Sequence, residues 1–95
     1  VYVDPDQAVA FTQDRKAFAG SVATMLQCVQ QMVQVVGVSL TDALRMASET
    51  PARIMHLNDH LGLLAPGRFA DIIILDRASL ELKMVMLAGR VVHQF

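Results

Sequence analysis

The sequence predicts a small α+β fold in which a β-hairpin comes first, three helices follow, and antiparallel strands close the chain. Three observations carry this prediction. Apolar residues between Ser21 and Val36 recur at three- and four-residue spacings, which is the period of an amphipathic helix. In the last third of the chain the period changes to two, and short apolar runs are separated by turn pairs. A β-rich stretch that contains an Asp-Pro-Asp turn opens the chain.

The first element is an extended segment over residues 1–17. Val1–Val3 and Ala8–Phe11 are β-rich runs. Asp4-Pro5-Asp6 lies between them and has turn chemistry, because Pro presets φ and Asp tolerates turn positions. Thr12–Lys16 is polar and is predicted to be a loop. These features together predict a β-hairpin.

The next element is the strongest helix, which is predicted to begin at Ser21 as N-cap and to end at Gly37 as the residue after the C-cap. Glutamines occupy its polar face. Its apolar stripe consists of Val22, Met25, Leu26, Val29, Met32, Val33 and Val36.

Two shorter helices follow. Ser39 is predicted to be the N-cap of the first, in a sequence that resembles a capping box with Asp42 at the third position. Thr50 is predicted to be the N-cap of the second, with Pro51 at the tolerated first position. This last helix is expected to extend to Leu57.

The C-terminal third is predicted to form three antiparallel strands, Ala70–Leu75, Leu80–Leu87 and Arg90–Phe95. Pro66-Gly67 suits the centre of a type II turn, and Ala88-Gly89 reverses the chain between the last two strands. The first strand is apolar throughout, so we expect it to be covered on both faces.

The composition is tilted toward apolar residues. Of the 95 residues, 54% are hydrophobic and 18% are charged, with a formal net charge of −1, whereas a typical soluble domain is about 25% charged. This balance excludes a disordered chain and provides no basic surface for nucleic acid. No apolar run is long enough to span a membrane. The single cysteine, Cys28, excludes an internal disulfide.

The apolar surplus has no obvious place to be buried, since a domain of this size hides only about 60–65% of the surface of its unfolded chain. We therefore expect the stripe of Val22–Val36 and the run Ile72–Leu75 to be covered by another chain or by a rearranged packing. The first residue is Val1, which agrees with a piece of a larger protein. The sequence shows no signal-peptide or transit-like segment, which predicts a cytoplasmic location.

The residues that carry chemistry form no catalytic or metal-ligand pattern in the sequence. His56 and His60 are four residues apart, but Leu57 stands where a metalloprotease motif needs Glu. Structural or surface roles are therefore favoured for the histidines, including His93. Cys28 is predicted to be a small core or interface residue.

One predicted loop contains backbone groups that can bind a ligand. Ala17–Ser21 is a run of small residues that leads into the predicted helix N-terminus, where unpaired N–H groups attract anions and carbonyl oxygens. Gly20 would let a ligand approach the backbone closely. The alternative is an ordinary capped helix start, which the local sequence favours.

Several longer motifs together indicate a family. They are Phe18-Ala19-Gly20-Ser21, Met25, Ala43–Ser48, Pro51-Ala52-Arg53, Leu61–Asp71 and Gly89–Val92. With these motifs the chain resembles the C-terminal part of the N-acetylglucosamine-6-phosphate deacetylase family of the amidohydrolase superfamily. The resemblance covers residues 18–95 well and residues 1–17 loosely. The family usually has Leu where this chain has Phe18, and Met55-His56-Leu57 also departs from its pattern.

The resemblance implies a metal-dependent hydrolase whose full chain is an α/β protein, a (β/α)₈ TIM barrel with a small β-sandwich. Residues 18–66 would be C-terminal helices of the barrel and residues 67–95 C-terminal strands of the sandwich, after the extended hairpin segment 1–17. Such an enzyme converts N-acetylglucosamine 6-phosphate to glucosamine 6-phosphate and acetate. It would use a divalent metal, zinc or iron, and form a homo-oligomer such as a dimer.

The resemblance also assigns residues. Phe18, Ala19 and Gly20 would contact the sugar-phosphate substrate. Asp4 does not match the motif of the family's catalytic Asp, and Arg15 and Arg45 do not match its phosphate-binding residues. The metal ligands and the general base would lie upstream, so this chain alone is expected to bind no metal and to be inactive.

Two alternatives remain open at this point. One is another amidohydrolase, dihydroorotase-like or deaminase-like, because many members of the superfamily share the C-terminal motifs. The other is a non-catalytic module that dimerises through its apolar faces.

Overall fold

The computed structural model describes residues 2–4, 6 and 9–95 of the chain. The described residues form two three-stranded antiparallel sheets, and the helices lie between them in the sequence. The α+β class is therefore confirmed, whereas the hairpin gains a third strand and the second and third predicted helices form one run. The predictions that involve Val1, Pro5 and Ala8 lie outside the described residues.

The N-terminal sheet has the order β1-β2-β3, with β1 at Tyr2–Asp4, β2 at Val9–Phe11 and β3 at Phe18–Ser21. The β1–β2 pairing confirms the predicted hairpin. The amide of Asp6 donates a hydrogen bond to the Asp4 carboxylate at 2.9 Å, as turn chemistry at this point predicts. The prediction of a loop over Ala17–Ser21 is wrong, because β3 pairs with β2 and extends the hairpin to a third strand.

Helix α1 spans Met25–Gln31 and continues as a π-helical turn over Met32–Val36. Its N-cap is Thr24 and not Ser21, so that prediction is wrong. The reason is reciprocal capping. The Gln27 amide donates to the Thr24 hydroxyl at 3.2 Å, and the Thr24 amide donates to the Gln27 side chain at 2.8 Å. The predicted end is confirmed, because Gly37 takes a left-handed φ of 90°.

Helix α2 (Leu40–Leu44), a π-helical turn (Arg45–Glu49) and helix α3 (Thr50–Ile54) form one uninterrupted helical run. Ser39 caps the run as predicted, since its side chain accepts a hydrogen bond from the Asp42 amide. The predicted break at Thr50 is wrong, because Thr50 has helical backbone angles and its amide donates to the Arg45 carbonyl.

Pro51 explains why the helical run contains a π-helical turn just before it. A proline inside an α-helix has no N–H to donate, and its ring meets the carbonyl four residues earlier. The π-helical turn just before Pro51 shifts the hydrogen-bond pattern to a five-residue spacing. The helix therefore continues through Pro51 and ends at Ile54, before the predicted Leu57. His56 has a left-handed φ of 59° in the turn that follows.

The C-terminal sheet has the order β4-β5-β6, with β4 at Ile72–Leu75, β5 at Leu82–Leu87 and β6 at Arg90–Gln94. Ala88 and Gly89 both have positive φ, which matches the two-residue turn of a hairpin. Gly67 has a φ of 83°, as the third position of a type II turn requires.

The described residues bury little apolar surface. The buried ones are Ala10, Val29, Ala43, Ala52 and Leu80. The prediction that β4 is covered on both faces is not met within this chain, because Ile73 and Ile74 are about half exposed. Much of the apolar surplus thus lies on the surface. No described helix is long and apolar enough to cross a membrane.

Candidate functional site

Strand β3 carries the three residues to which the resemblance gives a substrate role. Phe18, Ala19 and Gly20 are adjacent on this strand, which lies at the edge of the N-terminal sheet, and all are exposed. The Phe18 side chain is 73% exposed, and its ring contacts that of Phe11, with 5.3 Å between the ring centroids. A Cβ added to Gly20 would meet no described atom within 4 Å. This strand is therefore an open surface with an aromatic patch at one end.

The helix N-terminus is not part of this surface in the predicted way. Residues 22–24 separate Ser21 from α1. The Ser21 hydroxyl accepts a hydrogen bond from the Ala23 amide at 3.0 Å. In the first turn of α1, the Gln27 amide donates to the Thr24 hydroxyl and the Cys28 amide donates to the Thr24 carbonyl. These two N–H groups are therefore bonded within the chain and do not face a ligand.

A groove of about 590 Å³ lies between α1, the helical run 40–54 and the segment 61–73. Its wall is mostly apolar, with Arg45, Glu49 and Asp71 among the charged residues on it. The apolar residues that line it include Met25, Leu26, Val29, Leu44, Leu63, Leu64, Phe69, Ile72 and Ile73.

The charged side chains of the helical run pair with one another. Guanidinium nitrogens of Arg45 lie 3.3 Å from a carboxylate oxygen of Asp42 and 3.3 Å from one of Glu49. A guanidinium nitrogen of Arg53 lies 2.9 Å from the other Glu49 oxygen. The three- and four-residue spacings place these groups on one helix face. The pairs are largely exposed and contribute little to stability. The Arg45 guanidinium is therefore compensated by carboxylates of its own helical run.

Two turn carboxylates have a pKa below the usual range. Hydrogen bonds from the Thr12 hydroxyl and the Lys16 amide lower the pKa of Asp14. Hydrogen bonds from the Ser79 amide and hydroxyl and from the Ala78 amide lower the pKa of Asp76. Both groups are ionised at neutral pH, so neither has a pKa suited to proton transfer near pH 7.

The histidines and the cysteine do not converge. The His60 ring stacks on the Phe69 ring, with 5.2 Å between the ring centroids. The His93 and Phe95 rings pack edge to face, with 4.3 Å between their centroids. Cys28 is exposed, so its predicted place in a core is not found in this chain. Within residues 2–4, 6 and 9–95, no group of three or more His, Cys, Asp or Glu residues could hold a metal ion.

Comparison with known proteins identifies the family. The model of the amidohydrolase family matches residues 3–92, and the chain belongs to this family. Within it, the chain is 35% identical over 92 residues to the N-acetylglucosamine-6-phosphate deacetylase of Homo sapiens. These 92 residues are 97% of this chain and 22% of the human protein. It is 35% identical over 72 residues to a putative N-acetylgalactosamine-6-phosphate deacetylase of Escherichia coli (strain K12), covering 76% of this chain and 42% of the relative.

The fold agrees with this assignment. The crystal structure of N-acetylglucosamine-6-phosphate deacetylase from Pasteurella multocida superposes with a TM-score of 0.84 over 96% of this chain, at 24% identity. The chain covers 23% of that structure and about a fifth of the human relative. The family resemblance found in the sequence is thus confirmed, and the chain corresponds to a limited part of its relatives.

Proposed function

We propose that this chain is the C-terminal part of a deacetylase that acts on N-acetylglucosamine 6-phosphate. The reaction adds water across the acetamide C–N bond and releases acetate and glucosamine 6-phosphate. The observation that carries the proposal is the similarity to named deacetylases over nearly the whole chain, together with the family match.

We propose further that the whole protein has a (β/α)₈ barrel and a small β-sandwich. The exposed apolar surface supports this proposal. Val35 and Val36 on the π-helical end of α1 and Ile73 and Ile74 on β4 are substantially exposed in this chain. Contiguous apolar faces of this kind are covered in stable proteins. Barrel strands and further sandwich strands would cover them.

Strand β3 is proposed to contact the substrate. Phe18 would present its ring to the apolar side of the sugar, and Ala19 and Gly20 would present backbone groups to its polar substituents. The open space around Gly20 and the exposure of Phe18 support this role. Residues of this kind position a substrate and do not transfer protons.

The family's hydrolytic chemistry implies a divalent metal, proposed to be zinc or iron. The described residues do not fit such an ion, since they bring no suitable set of ligands together. We therefore assign to them no metal ligand and no general base. Their proposed contribution is substrate positioning and the packing of the surrounding fold.

The test is an assay of the intact protein with N-acetylglucosamine 6-phosphate and N-acetylgalactosamine 6-phosphate, in which acetate and the free amine are measured. We expect both products in equal amounts with at least one of the two sugars. Adenine and dihydroorotate serve as comparison substrates. Turnover of one of these with no deacetylation would instead support the deaminase-like or dihydroorotase-like alternative.

The 95-residue chain alone is proposed to be inactive and to bind no stoichiometric metal. Metal analysis of the purified chain, combined with the same assay, tests this directly. Stoichiometric zinc or iron together with turnover would contradict the proposal.

We propose a cytoplasmic homodimer for the whole protein. The alternative of a non-catalytic dimerisation module is kept because the apolar surface of this chain could also cover a second copy. Sedimentation of the chain and of the intact protein distinguishes these cases. An intact protein that dimerises but lacks every hydrolase activity above would favour the module.

A further inference from the structure

The turn between β4 and β5, Asp76–Glu81, is closed by hydrogen bonds among its own residues. The Asp76 carboxylate accepts hydrogen bonds from the amides of Ala78 and Ser79, each at 2.9 Å, and from the Ser79 hydroxyl at 3.1 Å. The Leu80 amide donates to the Asp76 carbonyl, and the Asp76 amide donates to the Glu81 carbonyl, both at 2.8 Å. Hydrogen bonds among its own residues therefore define the shape of the turn.

Leu80 lies near the end of this turn in an unfavourable backbone conformation. Its φ is 59°, which is rare for a residue with a bulky side chain. Leu80 is nevertheless only 3% exposed, whereas the other buried residues in the described part of the chain are alanines and a valine. Strained residues persist where the surrounding structure determines their position strongly.

Helix α1 supplies the contacts that hold the turn. The Gln30 side-chain amide donates to the Leu80 carbonyl at 2.8 Å, and that of Gln34 donates to the Ser79 carbonyl at 3.1 Å. The glutamines are four residues apart on one helix face, and the two carbonyls are consecutive. Two neighbouring donors thus match two neighbouring acceptors that lie far away in the sequence.

Other packing between the C-terminal sheet and the helices is sparse in the described chain. The closely packed pairs of elements are adjacent strands and neighbouring helical segments. An open groove, and not a packed interface, separates α1 from Ile72 and Ile73. Residues 55–71 connect the sheet covalently to the helical run, and the turn provides a second attachment.

We propose that the Asp76–Glu81 turn is a latch that fixes the C-terminal sheet on α1, with Gln30 and Gln34 as its positioning residues. Only three residues lie between the end of β3 and the start of α1, so the latch also restrains the strand that carries Phe18. This last step rests on the proposed function of β3, whereas the latch itself does not.

The test uses the double variant Gln30→Glu/Gln34→Glu in the intact protein. Glutamate has nearly the same shape, but at neutral pH it cannot donate a hydrogen bond to a carbonyl. Relative to intrinsic rates, we expect amides 76–82 to exchange with solvent about tenfold faster or more, since each lost hydrogen bond lowers the cost of local opening. Amides that join β5 to β6 keep their protection.

Gln31→Glu is the matched control, because Gln31 is exposed on the same helix and lies outside these contacts. Equal protection of residues 76–82 in the double variant and in this control would overturn the proposal. If the double variant loses protection throughout the protein, Gln34→Glu alone is compared with the control, since its contact is exposed.

A pH change separates the latch from a general loss of packing. Near about pH 4 the introduced carboxyls take up protons and regain an O–H donor. Asp76 takes up its proton at a lower pH than an ordinary aspartate, because its hydrogen bonds lower its pKa. We expect protection of residues 76–82 to return in part. Protection that stays lost on acidification would contradict a hydrogen-bonded latch.

Kinetics test the link to the substrate strand. In an active deacetylase, the double variant is expected to raise KM more than it lowers kcat. If the intact unmodified protein has no deacetylase activity, the proposed function is refuted. The latch is then tested by the exchange experiment alone. A loosened latch with an unchanged KM refutes the restraint on β3.

Discussion

Gly62 lies directly against Ala52, so that a Cβ added to Gly62 would come 2.9 Å from the Ala52 Cβ and 3.2 Å from the Glu49 Cα. Gly62 also has a φ of 98°, in the left-handed region. The loop after the helical run can therefore approach the helix backbone only because residue 62 has no side chain. This contact holds the segment that leads toward β4.

Gly62→Ala is expected to destabilise the protein by about 2–4 kcal/mol, because backbone strain and overpacking add at one site. The measurement is the free energy of unfolding in denaturant. Gly67→Ala is the matched control, since Gly67 also has a positive φ but a Cβ there would meet nothing within 4 Å. Equal losses for the two variants would show that the contact with Ala52 contributes nothing.

Thr24→Ala is expected to cost about 1 kcal/mol of stability, because it removes the side chain that caps α1. Ser21→Ala, at the position where the sequence predicted the cap, is expected to cost less. The two unfolding free energies are compared under the same conditions. A larger loss for Ser21→Ala would place the true start of the helix at Ser21.

Stability is expected to fall in acid through Asp76. The pKa of this carboxyl is lower in the folded protein than its usual value, because Ser79 and Ala78 donate hydrogen bonds to it. Its contribution is therefore fully present above the unfolded pKa and is lost as the pH falls through the folded pKa. The free energy of unfolding is measured from about pH 6 down to about pH 2. Its decrease over this range should be smaller in Asp76→Asn than in the unmodified protein. Parallel profiles for the two proteins would disprove this.

Phe18→Ala is expected to raise KM for the sugar phosphate by up to about tenfold, since one aromatic contact contributes roughly 1 kcal/mol. Phe18→Leu, the residue usual in the family, should retain most of the affinity. Phe95→Ala serves as the control, because Phe95 is a similarly exposed ring that directly follows β6. The prediction fails if Phe18→Ala and Phe95→Ala change KM equally.

Much of the fold could be predicted from the sequence, because local chemistry decided it. Gly37 ends the first helix and Ser39 caps the second, and both act through contacts within a few residues. The Ala88-Gly89 turn is also determined by local backbone preferences. Predictions of this kind need no knowledge of the tertiary structure.

The start of α1 was missed although the sequence contains its signal. A capping box needs Glu or Gln three residues after the N-cap. Gln27 meets this requirement for Thr24. For Ser21 the residue at that position is Thr24, whose side chain is too short to bond back to the N-cap amide. The pairing of Phe18–Ser21 with β2 also keeps Ser21 in an extended conformation. A strand partner is a tertiary contact, and helical periodicity alone does not reveal it.

The continuity of the helix through Pro51 could not be predicted from local rules. Thr-Pro is a common helix start, and only the π-helical turn before it makes the other outcome possible. The contacts of Gln30 and Gln34 were equally hidden, because glutamines on a polar helix face are ordinarily solvated. Their carbonyl partners lie 50 and 45 residues away.

The substrate role of β3 rests on family motifs and not on local chemistry. Local rules favoured an ordinary capped helix start at Ala17–Ser21, and the structure shows a strand instead. The role of Phe18, Ala19 and Gly20 stays a prediction, to be decided by the kinetics described above.

Strand β6 has a practical consequence for anyone who prepares this chain by itself. It is an edge strand whose residues are all exposed, with Val91 and Val92 at its centre. Unprotected apolar edges recruit other strands and promote aggregation. Expressed alone, the chain should collect in inclusion bodies, and a soluble fusion partner or co-expression with the rest of the polypeptide should keep it in solution.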